Sequence, residues 1–403
     1  MVSRAPWLTI VGIGEDGVEG LGAAARAAVA RAELLVGGAR HLALAAPLAT
    51  ADETLTWPSP LTEAMPVILA RRGRRVVVLA SGDPFCFGVG SVLVRAVPMA
   101  EILCLPAPSA FSLACARLGW ALQDVATISF CGRPLEAIRP LLQPGARILA
   151  LSADNVTPAA VAALITRWGF GETTIRVLEA IGGPDEDSFI FKAQKGVHDR
   201  ISPLNLMALE VAGGPALPLA PGLDEGWFET DGQITKREIR ALTLAALAPR
   251  RGALLWDVGA GSGSVGIEWM LRHPANRTIA IEARLDRAAR VARNAQALGV
   301  PALEVRQGAA PEALDGLAPP DAVFIGGGAS NAAVTRHCWD VLPSGGRLVV
   351  NAVTLETERA VLACHARWGG RLTRIGIERL EPIGPMQGFS PARTVLQYQA
   401  VKP

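Results

Sequence analysis

Residues 254–268, LLWDVGAGSGSVGIE, constrain the fold of this chain more than any other stretch. Residues 254–257 are an apolar run of strand length. Gly259, Gly261 and Gly263 follow at every second position, and 265–271 has the composition of a helix. A strand feeding a glycine-rich turn and then a helix is the basic connection of a parallel α/β sheet. Missing Cβ atoms let the backbone approach a ligand, and the first N–H groups of the helix have no partner inside it. The turn is therefore expected to cradle a small molecule.

Two ligands compete for that turn. Gly261-x-Gly263-x-x-Gly266 satisfies the dinucleotide fingerprint, in which Glu282 serves as the ribose acid, so an NAD-linked oxidoreductase is one alternative. Three neighbours fit S-adenosylmethionine, although Glu282 serves either ligand and does not discriminate. Asp257 stands at the strand end, two residues before the first glycine, where a carboxylate can hold an ammonium group. Glu282 ends a second apolar strand, 278–281. Leu342-Pro343-Ser344-Gly345-Gly346-Arg347 opens a late strand. This set resembles the class I methyltransferases, which implies S-adenosylmethionine as cofactor. Asp257 would hold its ammonium and Glu282 its ribose. Gly259, Ala260, Gly261, Ser262, Gly263 and Ala310 would lie along it. A ligand-free turn would leave the placement of the acids accidental.

At 403 residues the chain is too long for one ordinary core, so two or three lobes are expected, and 50% hydrophobic residues suffice to fill them. Lys+Arg 39 against Asp+Glu 37 gives no hint of nucleic acid. The six cysteines show neither C-x-x-C nor metal-ligand spacing, so no metal is expected and the thiols read as free in a reducing compartment. No charge-free apolar run reaches membrane length and residues 1–10 do not read as a signal peptide, so a cytoplasmic location is expected. His41, His198, His273, His337 and His365 sit in unrelated contexts and read as surface or packing residues, with His337 held in reserve because it follows a glycine triplet.

The N-terminal half reads as further strand-and-turn units. Strand 7–13 enters Gly12-Ile13-Gly14-Glu15-Asp16-Gly17. Helix 23–35 and a short strand near 34–36 follow, then helix 63–72. Strand 75–80 delivers Ser81-Gly82-Asp83-Pro84, and strand 102–105 delivers Pro106-Ala107-Pro108-Ser109-Ala110 before helix 111–118. Three strand ends carrying Gly, Pro, Ser or Asp together favour a site, because ligands of open parallel sheets collect at carboxyl ends. Strands near 128–130, 147–151, 174–178 and 206–211, helix 157–167 and a short strand at 189–191 complete this half. The Gly- and Pro-rich stretch 211–226 reads as a linker.

Val11-Gly12-Ile13-Gly14, Ser81-Gly82-Asp83-Pro84 and Pro108-Ser109-Ala110-Phe111-Ser112 resemble the tetrapyrrole methylases, the class III methyltransferases. Glu15-Asp16-Gly17 replaces the family's usual Pro-Gly-Asp and suits its precorrin-6 branch. The resemblance implies two αβα lobes over 1–210, about 1–120 and 121–210. Gly12, Gly14, Gly82, Asp83, Ser109 and Ala110 would line the cofactor pocket, and Asp83 would also steer the acceptor carbon.

Residues 227–403 form the expected class I Rossmann-like domain with a seven-stranded sheet. Its elements are helix 286–298, strands 303–307, 321–325 and 347–351, helix 357–368, and a final antiparallel pair over 371–377 and 394–400. Thr235 with Glu238 reads as a capping box for a helix to 247. Thr235-Lys236-x-Glu238-Ile239-Arg240, Gln307-Gly308-Ala309-Ala310-Pro311-Glu312 and Asn351-Ala352-Val353-Thr354-Leu355-Glu356 resemble the precorrin C15-methyltransferase/decarboxylases, which adds Thr235 to the cofactor site. The fusion resembles a bifunctional family of aerobic cobalamin synthesis. It implies methylation of a precorrin-6-type tetrapyrrole at carbons 5 (N-terminal domain) and 15 (C-terminal domain), loss of the carbon-12 acetate as carbon dioxide, and a precorrin-8-type product. Arg336, Arg347 and Arg393 are candidates for substrate carboxylates. The resemblance also implies a homo-oligomer, dimer or tetramer. A tetrapyrrole or nucleotide sensor without turnover is the alternative from a different class.

Overall fold

The computed structural model describes residues 6–197 and 200–403, so His198 lies outside the described residues. The chain divides into two compact units: Met1–Arg133 with Gln143–Pro215, and Pro134–Leu142 with Ala216–Pro403.

The first unit contains two five-stranded sheets. Strands β1 (Leu8–Ile13), β2 (Leu34–Gly37), β3 (Glu53–Thr56), β4 (Val76–Ser81) and β5 (Ile102–Leu105) are all parallel, in the order β3-β2-β4-β1-β5. Parallel strands are covered on both faces and so read as unbroken apolar runs. Val76, Val77, Val78 and Leu79 are all buried. The helix expected over 63–72 is only Met65–Leu69, with Pro66 in its first turn. The second sheet runs β6-β7-β10-β8-β9, from β6 (Val125–Ser129), β7 (Arg147–Leu151), β8 (Thr174–Glu179), β9 (Asp187–Lys192) and β10 (Asn205–Glu210). Only β6 and β7 are parallel there; the other pairs are antiparallel.

The second unit is built on a seven-stranded sheet ordered β13-β12-β11-β14-β15-β19-β16. Its members are β11 (Leu254–Val258), β12 (Arg277–Glu282), β13 (Glu304–Gln307), β14 (Ala322–Ile325), β15 (Arg347–Ala352), β16 (Arg371–Ile375) and β19 (Val395–Val401). β19 is antiparallel to both its neighbours, as expected. A separate hairpin, β17 (Glu378–Ile383) with β18 (Met386–Pro391), was not anticipated. Trp256, Trp269 and Tyr398 are fully buried in this unit.

Of the stretch read as a linker, the part after Pro215 is built into this unit: Leu217 and Leu223 are buried in its core. Glu268, with no exposed surface, accepts hydrogen bonds from the N–H groups of Gly222 (2.6 Å) and Leu223 (2.9 Å) and from Arg240 Nε (2.5 Å). Arg240, equally buried, also donates to the backbone oxygens of Leu223 and Thr235, and its guanidinium lies 4.9 Å from the Phe228 ring centroid. Two charges survive this burial because each is paired and nearly saturated with hydrogen bonds.

One local expectation fails. The helix Arg237–Leu247 is preceded by Lys236 as its cap, with no side-chain capping bond. Thr235 stands one residue too early to cap it, and Glu238 pairs with Arg379 instead.

Candidate active sites

In the first unit the carboxyl ends of β1, β4 and β5 meet. Gly82 N–H donates to the Ile13 oxygen (3.1 Å) and Ala107 N–H donates to the Gly82 oxygen (3.1 Å). A Cβ on Gly12 would lie 1.8 Å from the Gly82 oxygen, so only glycine fits there. Gly82 has φ +52°, and a Cβ on it would lie 2.6 Å from the Pro108 oxygen. These loops border a cavity of about 320 Å³, a size typical of small-molecule sites (~300–1,000 Å³).

Of the residues expected in this pocket, Gly14, Gly82, Ser109 and Ala110 line it. Ser109 also caps its helix, its Oγ accepting from Ser112 N–H (3.1 Å). Gly12 and Asp83 are not among the lining residues. Gly12 serves the packing of the loops. Asp83 Oδ1 accepts from Phe85 N–H (2.8 Å), which closes its own turn, so the carboxylate expected to steer the acceptor carbon is a turn residue here.

The same cavity presents a polar cluster that the sequence did not suggest. Glu15, Arg40, His41 and Ser81 all line it. Arg40 forms an ion pair with Glu15 and donates from Nη2 to Ser81 Oγ (3.0 Å). His41 Nε2 lies 2.8 Å from Ser81 Oγ and 3.0 Å from Arg40 Nη2. Burial first, and the Arg40 charge second, push the imidazole down to about 4, so it is neutral near pH 7. Strand order assembles the cluster: β2 pairs with β4, which sets the start of the helix Ala39–Ala45 that follows β2 beside Ser81 at the end of β4. The signal available was the polar pair Arg40-His41 just after a buried strand.

In the second unit the predicted residues converge at the carboxyl ends of β11, β12 and β14. Asp257, 1% exposed, accepts from Gly266 N–H through Oδ2 (2.9 Å), while Oδ1 is buried with no partner among the described residues. Burial first, opposed by the Gly266 hydrogen bond and aided by Glu282, raises its carboxyl to about 7. Glu282 accepts from Gly261 N–H (2.9 Å) and Arg284 N–H (3.0 Å), which ties the glycine turn to the end of β12. Gly259, Gly261 and Gly263 all have positive φ. A Cβ on Gly259 would lie 2.7 Å from Gly327 N, and one on Gly266 would lie 2.6 Å from Thr278 Cγ2. Ser262 Oγ is a second buried atom without a partner among the described residues.

Ala310 packs against the apolar core just beyond β13. Asn294, unforeseen, holds the turn from behind. Its Nδ2 donates to the Ser262 and Glu229 oxygens (both 2.9 Å). A polar residue on the buried face of an amphipathic helix was the available signal.

The three arginines separate. Arg347 begins β15, level with Ala322 at the start of β14, and donates to the Ala246 oxygen (3.3 Å). It therefore lies at the amino end of the sheet, opposite the site, and cannot meet a substrate there. Arg393 is exposed and precedes β19, which runs antiparallel to β15, so it lies at the carboxyl end. Arg336 is exposed on the helix Ala332–Val341. His337 stacks on Trp256 (6.3 Å between centroids), a packing role. Among the described residues no group of His, Cys, Asp and Glu could hold a metal.

Comparison with known proteins agrees with this division. Residues 7–195 match the model of the tetrapyrrole (corrin/porphyrin) methylases, and 226–402 that of the precorrin methyltransferase domain. The chain is thus a methyltransferase carrying two modules. It is 54% identical over 401 residues, 99% of this chain and 97% of the relative, to a precorrin-6Y C(5,15)-methyltransferase (decarboxylating) of Sinorhizobium sp. A protein of the same name from Mycobacterium tuberculosis is 40% identical over 399 residues, 98% of this chain and all of the relative. The chain belongs to the precorrin-6Y C(5,15)-methyltransferase (decarboxylating) family. A shorter relative, the cobalt-precorrin-6B C(15)-methyltransferase (decarboxylating) of Salmonella typhimurium, is 34% identical over 166 residues, 40% of this chain and 85% of its own length.

Proposed function

We infer that this chain methylates a precorrin-6-type tetrapyrrole at carbon 5 through its first unit and at carbon 15 through its second. The second unit also removes the carbon-12 acetate as carbon dioxide, giving a precorrin-8-type product of cobalamin biosynthesis. The division of labour is supported by the shorter relative, named for carbon 15 and decarboxylation alone and matched by 40% of this chain.

S-adenosylmethionine supplies an electrophilic methyl group when bound. The observation that carries this reading is the lone Oδ1 of Asp257, buried at the end of β11 just before the glycine turn, in which a Cβ on Gly261 would meet nothing closer than 3.7 Å. An ammonium there would give the stranded oxygen a donor, and a buried charge pair of this kind is strongly favoured over a lone carboxylate. Gly261 and Ser262 would face the rest of the molecule, with Glu282 on its ribose. In the first unit Gly14, Gly82, Ser109 and Ala110 would hold the second copy. Methyl transfer from a charged sulfur needs alignment above all, so neither unit requires a nucleophilic triad. Arg393 and Arg336 would receive substrate carboxylates, and the protein would act as a cytoplasmic homo-oligomer.

Titration calorimetry on the full chain tests the reading. Two S-adenosylmethionine sites are expected, and Asp257→Asn should weaken one of them and leave the other unchanged. A single site in the native chain, or heat on titrating NADH instead, would overturn it.

A further inference from the structure

We propose that Ser81 and His41 form the proton-accepting pair for methylation at carbon 5, a step that rests on the assignment of carbon 5 to the first unit. Carbon 5 is a bridging carbon of the macrocycle. As it takes the methyl group, the donor's carbon–sulfur bond breaks and its electron pair stays on sulfur. The bridge then carries both a methyl and a hydrogen, and the conjugated system holds a positive charge. To restore conjugation the carbon–hydrogen bond must break, its electron pair returning to the ring and its proton leaving.

Within the cavity, Ser81 and His41 are built for that proton. A guanidinium can only donate hydrogen bonds. Arg40 Nη2 lies 3.0 Å from His41 Nε2, so Nε2 is the accepting nitrogen and the ring proton sits on Nδ1. Nδ1 is buried and has no partner among the described residues. The ring's one accepting lone pair therefore lies on the nitrogen 2.8 Å from Ser81 Oγ, shared between the Arg40 N–H and the Ser81 hydroxyl. Ser81 donates its hydroxyl proton to Nε2 and presents its oxygen to the cavity, where its side is exposed. The proton of carbon 5 passes to Ser81 Oγ as the hydroxyl proton passes to Nε2.

The charges facing the imidazole are Arg40, on the same turn, and Glu15, which pairs with Arg40 from the loop after β1. Leu79 and Gly37 supply apolar walls. Arg40 beside the protonated ring makes it a short-lived acceptor that returns its proton readily. Such a weak base suffices, because the hydrogen it removes sits on a carbon next to a cationic conjugated system.

The test uses the full chain, a carbon-13 methyl donor and nuclear magnetic resonance of the label at carbon 5. His41→Gln and Ser81→Ala should each slow labelling there by roughly 100-fold or more, the usual size of a general-base contribution. Calorimetric affinity for S-adenosylmethionine should stay unchanged. Deuterium at carbon 5 should produce a primary isotope effect in His41→Gln, and imidazole should restore the rate of His41→Gly. Unchanged labelling in both variants overturns the proposal. So does a slowed rate that imidazole does not rescue and that comes with weakened donor binding. If the native chain itself places no label on carbon 5, the assignment of that carbon to this protein fails instead.

Discussion

Replacing Asp257 by Asn should make the protein more stable and less able to bind its methyl donor, with both effects set by one buried oxygen. The carboxyl moves from an ordinary 3.8 to about 7 on folding, mainly through burial. At 1.36 kcal/mol per pH unit, holding it ionised in the folded state costs roughly 4 kcal/mol. The sign follows from proton binding. Between pH 4 and 7 the folded protein keeps a proton that the unfolded chain has lost, so stability falls as pH rises through that window. Above pH 7 the full cost is present.

Asn keeps an acceptor for Gly266 N–H but carries no charge. In urea unfolding followed by tryptophan fluorescence, its advantage over the native chain should grow from about 1–2 kcal/mol at pH 5 to a ceiling near 4 at pH 8. The same variant should lose the charge-assisted bond to the donor ammonium. That is about 1.5–3 kcal/mol, or roughly 10- to 150-fold in Kd for the second-unit site. Native affinity should itself weaken below pH 7 as the carboxyl takes up its proton. A stability difference that does not change between pH 5 and 8, together with undiminished donor binding, would refute the reasoning.

Other outcomes follow from single contacts. Gly12→Ala forces a methyl group to within 1.8 Å of the Gly82 oxygen, so the loops must part. It should cost at least about 2 kcal/mol in chemical denaturation and abolish labelling at carbon 5. Glu268→Gln or Arg240→Met strands a buried charge or weakens its pairing, and each should destabilise the second unit by about 3–5 kcal/mol. The double variant should cost much less than the sum, which a double-mutant cycle in urea would show. Arg347→Ala should leave the tetrapyrrole KM unchanged because it sits at the wrong end of the sheet, whereas Arg393→Ala should raise it several-fold in steady-state assays.

What was legible in the sequence was what burial writes into it. β5, β7 and the helix Thr157–Arg167 fall within the residues expected of them, because apolar runs or stripes bounded by Gly and Pro leave little freedom. The hairpin β17–β18 was missed because Leu380, Ile383, Met386 and Phe389 are exposed, so its alternation marks no buried face. Thr235 misled because capping depends on where the helix begins, and it begins two residues later. In the second unit the site was readable as one contiguous motif plus one acid. In the first, Glu15 comes from the loop after β1, Arg40 and His41 from the helix Ala39–Ala45, and Ser81 from the end of β4. Their meeting is a property of strand order, which local patterning does not encode. Arg347 was misplaced for the same reason: its distance from the site depends on which end of a strand it occupies.

The clamp around Glu268 has a practical consequence for anyone who wishes to dissect this protein. A fragment begun at Trp227, where the sequence alone puts the start of the second domain, would discard Leu217 and Leu223. It would strip from Glu268 two amide donors and from Arg240 a carbonyl acceptor. The exposed remnant would be a buried ion pair opened to water and a core missing its outer course. Cutting ahead of Leu217 retains those groups.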